Sequence, residues 1–120
     1  MPQISSAAAA AAPLTPQDRD RAAAATPRLI AGAVELLKAL ASTARLSIVL
    51  ELGRQERCVH ELVDITGMTQ PLVSQHLRVL RGAGVVTARR RGRETAYSLT
   101  DDHLAHIAAD AVRHAEETTR

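Results

Sequence analysis

The chain has 120 residues, 46% of them hydrophobic, a formal net charge of +2, five histidines and one cysteine. That length allows one domain of about 100 residues plus a tail, and a core so small is often completed by an oligomer partner. Cys58 on its own excludes an intrachain disulfide framework and fits a reducing compartment, and no run approaches the roughly 20 apolar residues that span a bilayer, so a cytoplasmic protein without membrane contact is expected.

Residues 1–14, "MPQISSAAAAAAPL", are low in complexity and read as disordered. The Ala run has no cationic flank before it and is not read as a signal peptide. In "TPQDRDRAAAAT", Thr15 is an N-cap, Pro16 sits in the first turn and Asp18 near the positive helix end, which predicts a short helix over 16–25. Residues 1–27 thus form a flexible Ala/Pro-rich segment, and 28–120 the folded domain. Thr26 and Pro27 repeat the start signal, and Leu29, Val34, Leu36, Leu37 and Leu40 have the spacing of a buried helix face. Ser42 opens another helix, with Leu46, Val49 and Leu50 inward until Gly53.

"CVHELVDITG" reads as a short helix with Leu62 and Val63 inward, closed by Gly67 as a left-handed cap. Thr69 then caps "QPLVSQHLRVLRGAG", where Pro71 is tolerated in the first turn. Two helices joined by a Gly-containing turn make a helix-turn-helix. After Gly84, "VVTARR" and "ETAYSL" alternate like strands, with "RGR" as the turn of a hairpin, and Asp101 opens the last helix. The fold class expected is mainly α with a β-hairpin wing: a winged helix-turn-helix, acting as a homodimer.

Charge is unevenly placed. Residues 70–99 hold Arg78, Arg81, Arg89, Arg90, Arg91 and Arg93 against Glu94 alone, whereas 101–120 hold Asp101, Asp102, Asp110, Glu116 and Glu117 against Arg113 and Arg120. A basic block of this kind suits a polyanion, with a solvated surface as the alternative. On the helix from Gln70, Leu72, Val73, Leu77 and Leu80 fall on one side, and Gln70, Pro71, Ser74, Gln75, Arg78 and Arg81 on the other. Gln pairs with adenine, Arg with guanine, and Ser with base or phosphate, so Gln70, Ser74, Gln75 and Arg78 have the groups of major-groove readout. Arg89, Arg90, Arg91 and Arg93 surround the hairpin tip, where they reach phosphates. His76 falls toward the apolar side and reads as a packing residue.

In the last helix His103 and His114 are 11 residues apart, so they share a stripe to within roughly 20° but stand some 16 Å apart along the axis. One helix cannot bring both to a metal whose ligand atoms lie near 2 Å. Two antiparallel copies about a two-fold axis can, pairing His103 of one chain with His114 of the other. Asp101, at the helix start, and Glu117, one turn after His114, complete a four-ligand N/O set that suits Zn2+ or Co2+, two ions per dimer, and not the thiophilic ions. Leu104, Ile107 and Ala111 beside the stripe form an apolar strip for self-association. Solvated surface groups are the plain alternative, and His106 with Asp110, one turn apart, is a rival site within one chain. A hydrolytic zinc enzyme needs an open coordination position, a pocket and a base, which four ligands at an exposed seam do not provide.

"LLKALASTARLSIVLEL", "CVHELVDITGMTQPLVSQHLRVLRGAGVVTARRRGRETAYSL" and "DDHLAHIAADAVRHAEE" together resemble the ArsR/SmtB family of metal-sensing bacterial repressors over about residues 28 to 117. The Asp-x-His, ten residues, His-x-x-Glu pattern resembles its zinc-sensing branch. The resemblance implies metal binding at Asp101, His103, His114 and Glu117, and an apo dimer on an inverted-repeat operator in the bacterial nucleoid that zinc releases. In the arsenic and cadmium sensors of the family two cysteines occupy the short helix before the recognition helix; here Cys58 and His60 stand there. No Cys or His precedes residue 58 to complete such a site, so Cys58 reads as a packing residue, with a secondary metal or redox role for Cys58 and His60 as the alternative.

Overall fold

The computed structural model describes residues 13–119, so the Ala run and the rest of residues 1–12 lie outside the described residues. Helix α1 (Pro16–Ala23) begins at a capping box, in which the Thr15 hydroxyl accepts from the Asp18 N–H at 3.0 Å and the Asp18 carboxylate accepts from the Thr15 N–H at 3.1 Å. It is two residues shorter than the 16–25 helix expected, and it buries none of its residues. Helix α2 (Pro27–Leu40) is capped by Thr26, and α3 (Thr43–Leu52) by Ser42, each hydroxyl accepting an N–H three residues on at 3.2 Å. A two-residue strand β1 (Arg57–Cys58) leads into α4 (Val59–Thr66), which Gly67 ends in the left-handed region at φ +76°, as foreseen.

Helix α5 (Gln70–Gly82) follows. Thr69 is its N-cap, but by backbone position alone, since its side chain makes no capping bond. Strands β2 (Val86–Arg91) and β3 (Glu94–Leu99) form the hairpin, with Gly92 at φ +67° and Arg93 at negative φ between the last pair, Arg91 and Glu94. That is the backbone pattern of a type II′ turn, in which glycine takes the first central position. Helix α6 (Asp102–Thr118) closes the chain, its N-cap Asp101 accepting from the Leu104 N–H at 3.3 Å.

The strand before α4 was not anticipated, because two residues show no alternation. It adds a third strand to the hairpin, in the order β1-β3-β2, all antiparallel. In this way the base of the wing is hydrogen-bonded to the start of the helix-turn-helix.

Helix α3 packs against α2, α4, α5, α6 and β3. Its Ile48, Val49 and Leu52 meet Leu62, Val73, Leu77, Leu80, Val85, Val86, Leu104 and Ala108 in one core. Leu46 and Leu50, expected innermost with Val49, are only half-buried; Ile48 and Leu52 take the deeper places. On α2 the expectation of one buried face holds only at the C-terminal end: Leu40 is buried, whereas Leu29, Val34 and Leu37 are 66%, 42% and 53% exposed. The apolar stripe exists, but this chain does not cover it. Leu72 also departs from its assigned side, being 40% exposed, because it lies roughly 105° round α5 from the mean direction of Val73, Leu77 and Leu80. Among the described residues no helix is long and apolar enough to cross a membrane.

Candidate nucleic-acid interface and metal-ligand residues

Val73, Leu77 and Leu80 are at most 1% exposed, and they hold α5 by one edge. Gln70, Pro71, Gln75, Arg78 and Arg81 are exposed on the opposite edge, with Ser74 half-buried beside them. Ser74, Arg78 and Arg81 line an open cleft with Tyr97 of β3, so the polar edge of α5 and the wing border one concavity. His76 is half-buried, and its buried Nδ1 has no hydrogen-bond partner. That agrees with its assignment to the packed side of the wheel.

The four wing arginines do not share one environment. The pleat sends alternate side chains to opposite faces, and the register aligns Arg89 with Ala96 and Cys58 across the sheet, and Arg90 with Thr95. Arg89 makes a two-pronged pair with Glu56, Nε to Oε2 and Nη2 to Oε1, both at 2.7 Å. Arg91 reaches Glu56 Oε1 at 3.4 Å, Glu61 Oε1 at 3.8 Å and Cys58 Sγ at 3.4 Å. Arg90 donates to the Gly92 carbonyl at 3.3 Å, and Arg93 lies exposed in the turn. The Arg89 guanidinium holds the Glu56 carboxyl below the usual carboxylate range, with Arg91 adding to it. Glu56 has no sequence signal: it lies 33 residues from Arg89, in the loop between α3 and β1.

Cys58 and His60 converge on Glu94. His60 Nδ1 lies 3.0 Å from Glu94 Oε2, and the three residues line one cleft with Gln70, Thr95 and Tyr97. The thiol itself is 1% exposed. Burial pushes it above its ordinary range, and Glu94 adds to this while Arg91 pulls the other way. Since the thiolate is the reactive form, this is the environment of an unreactive packing cysteine.

Along α6 the four proposed ligands fall into two pairs. Asp101 and His103 meet at the N-terminal end, His103 Nδ1 lying 3.5 Å from Asp101 Oδ1. His114 and Glu117 are exposed on the last turns. Among the described residues of one protomer, no three His, Cys, Asp or Glu side chains gather where one ion would reach them. Each pair offers N and O donors open to solvent. In the rival pair, Asp110 is bonded to Arg113 at 2.6 Å and His106 is half-buried. The apolar strip needs correction: Leu104 is 5% exposed and belongs to the core of its own protomer, whereas Ile107, Ala111 and the unforeseen Val112 face outward.

A family model described as "Bacterial regulatory protein, arsR family" matches residues 42–88, from the N-cap of α3 into β2. The chain is 59% identical to the HTH-type transcriptional repressor SmtB of Mycobacterium tuberculosis over 89 residues, 74% of this chain and 66% of that one. It therefore spans just under two thirds of the length of that relative. It is 42% identical to the HTH-type transcriptional regulator NmtR of the same organism over 80 residues, 67% of each chain. Among solved structures, the homodimeric winged helix-turn-helix DNA-binding domain Mb0332 of Mycobacterium bovis superposes with a TM-score of 0.69 at 28% identity, over 88% of this chain and 91% of that one. With α4 and α5 as the helix-turn-helix, β2 and β3 as the wing, and relatives at these identities, the chain belongs to the arsR family of bacterial regulatory proteins and has the winged helix-turn-helix fold.

Proposed function

We propose that this chain is a zinc-responsive transcriptional repressor, whose dimer binds an inverted-repeat operator without metal and leaves it when zinc occupies the C-terminal helices. The observation that carries the reading is the outer stripe of α6: His103 and His114 at its two ends, and Ile107 and Ala111 between them, all exposed in one protomer. On α2, Leu29, Ile30, Val34 and Leu37 are also exposed. Covering a large aliphatic side chain is worth roughly 1.5–3 kcal/mol, so two such faces favour a second copy, and an antiparallel pair of α6 helices puts His103 opposite His114. That Mb0332 is homodimeric supports a dimer here.

In that dimer Asp101 and His103 of one chain, with His114 and Glu117 of the other, would hold the ion, which would supply a four-coordinate N/O cross-link between the helices. Gln70, Ser74, Gln75 and Arg78 present donors and acceptors to base edges, and the wing presents cations to phosphates. Because α6 packs on α3, and α3 on α5, a change in how the two α6 helices meet alters the spacing of the two α5 helices. The test is operator binding by the purified chain with chelator and then with added zinc. Coupling must be reciprocal, so operator weakens zinc binding by the same factor that zinc weakens operator binding, and equal zinc affinities with and without operator end the proposal. An oxidation-responsive regulator acting through Cys58 is less well supported, because its thiol is buried and its acidity is lowered.

A further inference from the structure

The wing carries four arginines, and strand alternation divides them. Arg89 and Arg91 point over the sheet face that holds Ala96 and the buried Cys58, where Glu56 and Glu61 wait. Glu56 is only 23% exposed and Glu61 31%. Glu61 is itself fixed by the Cys58 N–H at 2.7 Å, and reaches Arg57 at 4.0 Å. Arg57, 16% exposed, pairs with Glu51 of α3 at 2.7 Å. Alternating charges thus run Glu51, Arg57, Glu61, Arg91, Glu56, Arg89, from α3 through β1 and α4 into the wing. The carboxylates and Arg57 are partly buried, while Arg89 and Arg91 stay 61% and 44% exposed. The wing end is therefore held by the two-pronged geometry and the linkage of several charges, which fix a pair better than a single surface contact does. Arg90 and Arg93 stand outside it: among the described residues neither has a carboxylate partner in the ion pairs of the wing, and Arg90 shares its sheet face with Tyr97, which borders the cleft beside Arg78.

We propose that Glu56 is a positioning residue for DNA binding: it clamps Arg89 and Arg91 to fix the wing against the loop between α3 and β1, withholds both from phosphate, and leaves Arg90 and Arg93 as the phosphate-binding cations of the wing. The inference rests on the DNA-binding reading above. Its physical content is a count of charges. Each cation that neutralises a phosphate adds about 0.9 to the steepness with which log Kobs falls against log salt concentration, whereas a guanidinium already neutralised by a carboxylate adds little. Withholding two cations also removes sequence-blind affinity, so Glu56 favours discrimination between sites at the expense of raw affinity.

The experiment uses the full chain and a duplex enriched from a random library on the immobilised wild-type protein, with binding followed by anisotropy across a salt series. Each substitution removes two cations from the dimer, so Arg90→Ala and Arg93→Ala each flatten the slope by about 1.8. Arg89→Ala leaves the slope unchanged, whatever it does to affinity at any one salt concentration. Glu56→Gln steepens the slope by about two to four as two arginines are freed in each protomer, and lowers the ratio of affinities for the enriched and a scrambled duplex. A slope flattened as much by Arg89→Ala as by Arg90→Ala overturns the proposal, as does an unchanged slope in Glu56→Gln or in both Arg90→Ala and Arg93→Ala. Thermal unfolding of the metal-free chain gives a readout without DNA: Tm losses of Glu56→Gln and Arg89→Ala that overlap in the double variant support the clamp, and losses that simply add overturn it. Failure to enrich any duplex rejects instead the DNA-binding reading of the preceding subsection.

Discussion

Helices α5 and α6 are both amphipathic, and both show charge to solvent, yet they are finished to different degrees. Helix α5 buries Val73, Leu77 and Leu80 completely, and its outer edge is polar apart from Leu72 and Val79 at the flanks. Everything needed to hold that edge toward a ligand is inside one protomer. Helix α6 buries Leu104, Ala105 and Ala108 in its first half and nothing afterwards, so Ile107, Ala111 and Val112 are left uncovered, with the exposed His103 and His114 toward its two ends. A face finished within the chain fits an external partner such as DNA; a face left half apolar and half ligand fits another copy of itself.

The sharpest way to break this contrast is to cut each helix on its buried and exposed sides. Leu77→Ala opens a cavity under α5 and is expected to cost roughly 2–5 kcal/mol, read as a fall in the denaturation midpoint of the metal-free protein at any protein concentration. Ile107→Ala removes a half-exposed side chain, and a two-fold interface loses it twice. Self-association should weaken about tenfold in sedimentation, with a change of under about 1 kcal/mol in the unfolding of the protomer. Equal effects of the two substitutions on protomer stability would erase the distinction.

Function separates in the same way, with effects next in size. Arg78→Ala removes a base-edge or phosphate donor and should weaken operator binding by roughly 1–3 kcal/mol, about 5- to 150-fold, while zinc titrates as before. His103→Ala should do the reverse: operator affinity without metal unchanged, and the zinc response lost. A His103→Ala protein that still releases operator on zinc addition places the sensing site elsewhere.

Asp101 belongs to both accounts, because the same Oδ1 caps α6 at Leu104 N and approaches His103 Nδ1. Asp101→Ala should cost about 1 kcal/mol of stability and also weaken zinc binding. Asp101→Asn keeps the capping oxygen and loses the charge, so it should hold the Tm near wild type while zinc affinity still falls. If Asn and Ala variants bind zinc as tightly as wild type, Asp101 is a cap and nothing more.

What could be read in advance follows the range of the interactions. Caps at Thr15, Thr26, Ser42 and Asp101, and the left-handed Gly67, depend on residues within a turn of each other, and all are found in place. Helical periodicity marks apolar stripes on α2 and α6, but it does not tell whether this chain or another covers them. Hence Leu29, Val34 and Leu37 prove exposed, while Leu104, assigned to the seam, lies in the core. Strand β1 is too short to alternate, and the clamp joins residues 33 and 35 apart, so neither leaves a local trace. The charge run on the wing was visible, but the pleat that divides it needs the register.

The smallest effect expected is also the one that belongs most purely to the α5 and wing side. Glu56 has a folded pKa below its ordinary 4.5, chiefly through Arg89. In the window between the two values the unfolded chain binds the proton and the folded chain does not, so stability there rises with pH. The contribution of Glu56 is therefore complete above about pH 4.5 and constant through neutrality, and is lost as pH falls through the lowered value. Glu61 is lowered in the same direction by the Cys58 N–H, so it accounts for a second part of the same acid limb. Glu56→Gln should flatten the fall of Tm below pH 4.5 without altering the plateau slope, and Glu56→Gln with Glu61→Gln should flatten it further. Identical acid limbs in the variants and the wild type would mean that the wing is not tied to the α3–β1 loop and α4 in solution, and that α5 and its wing are no more finished within one chain than α6.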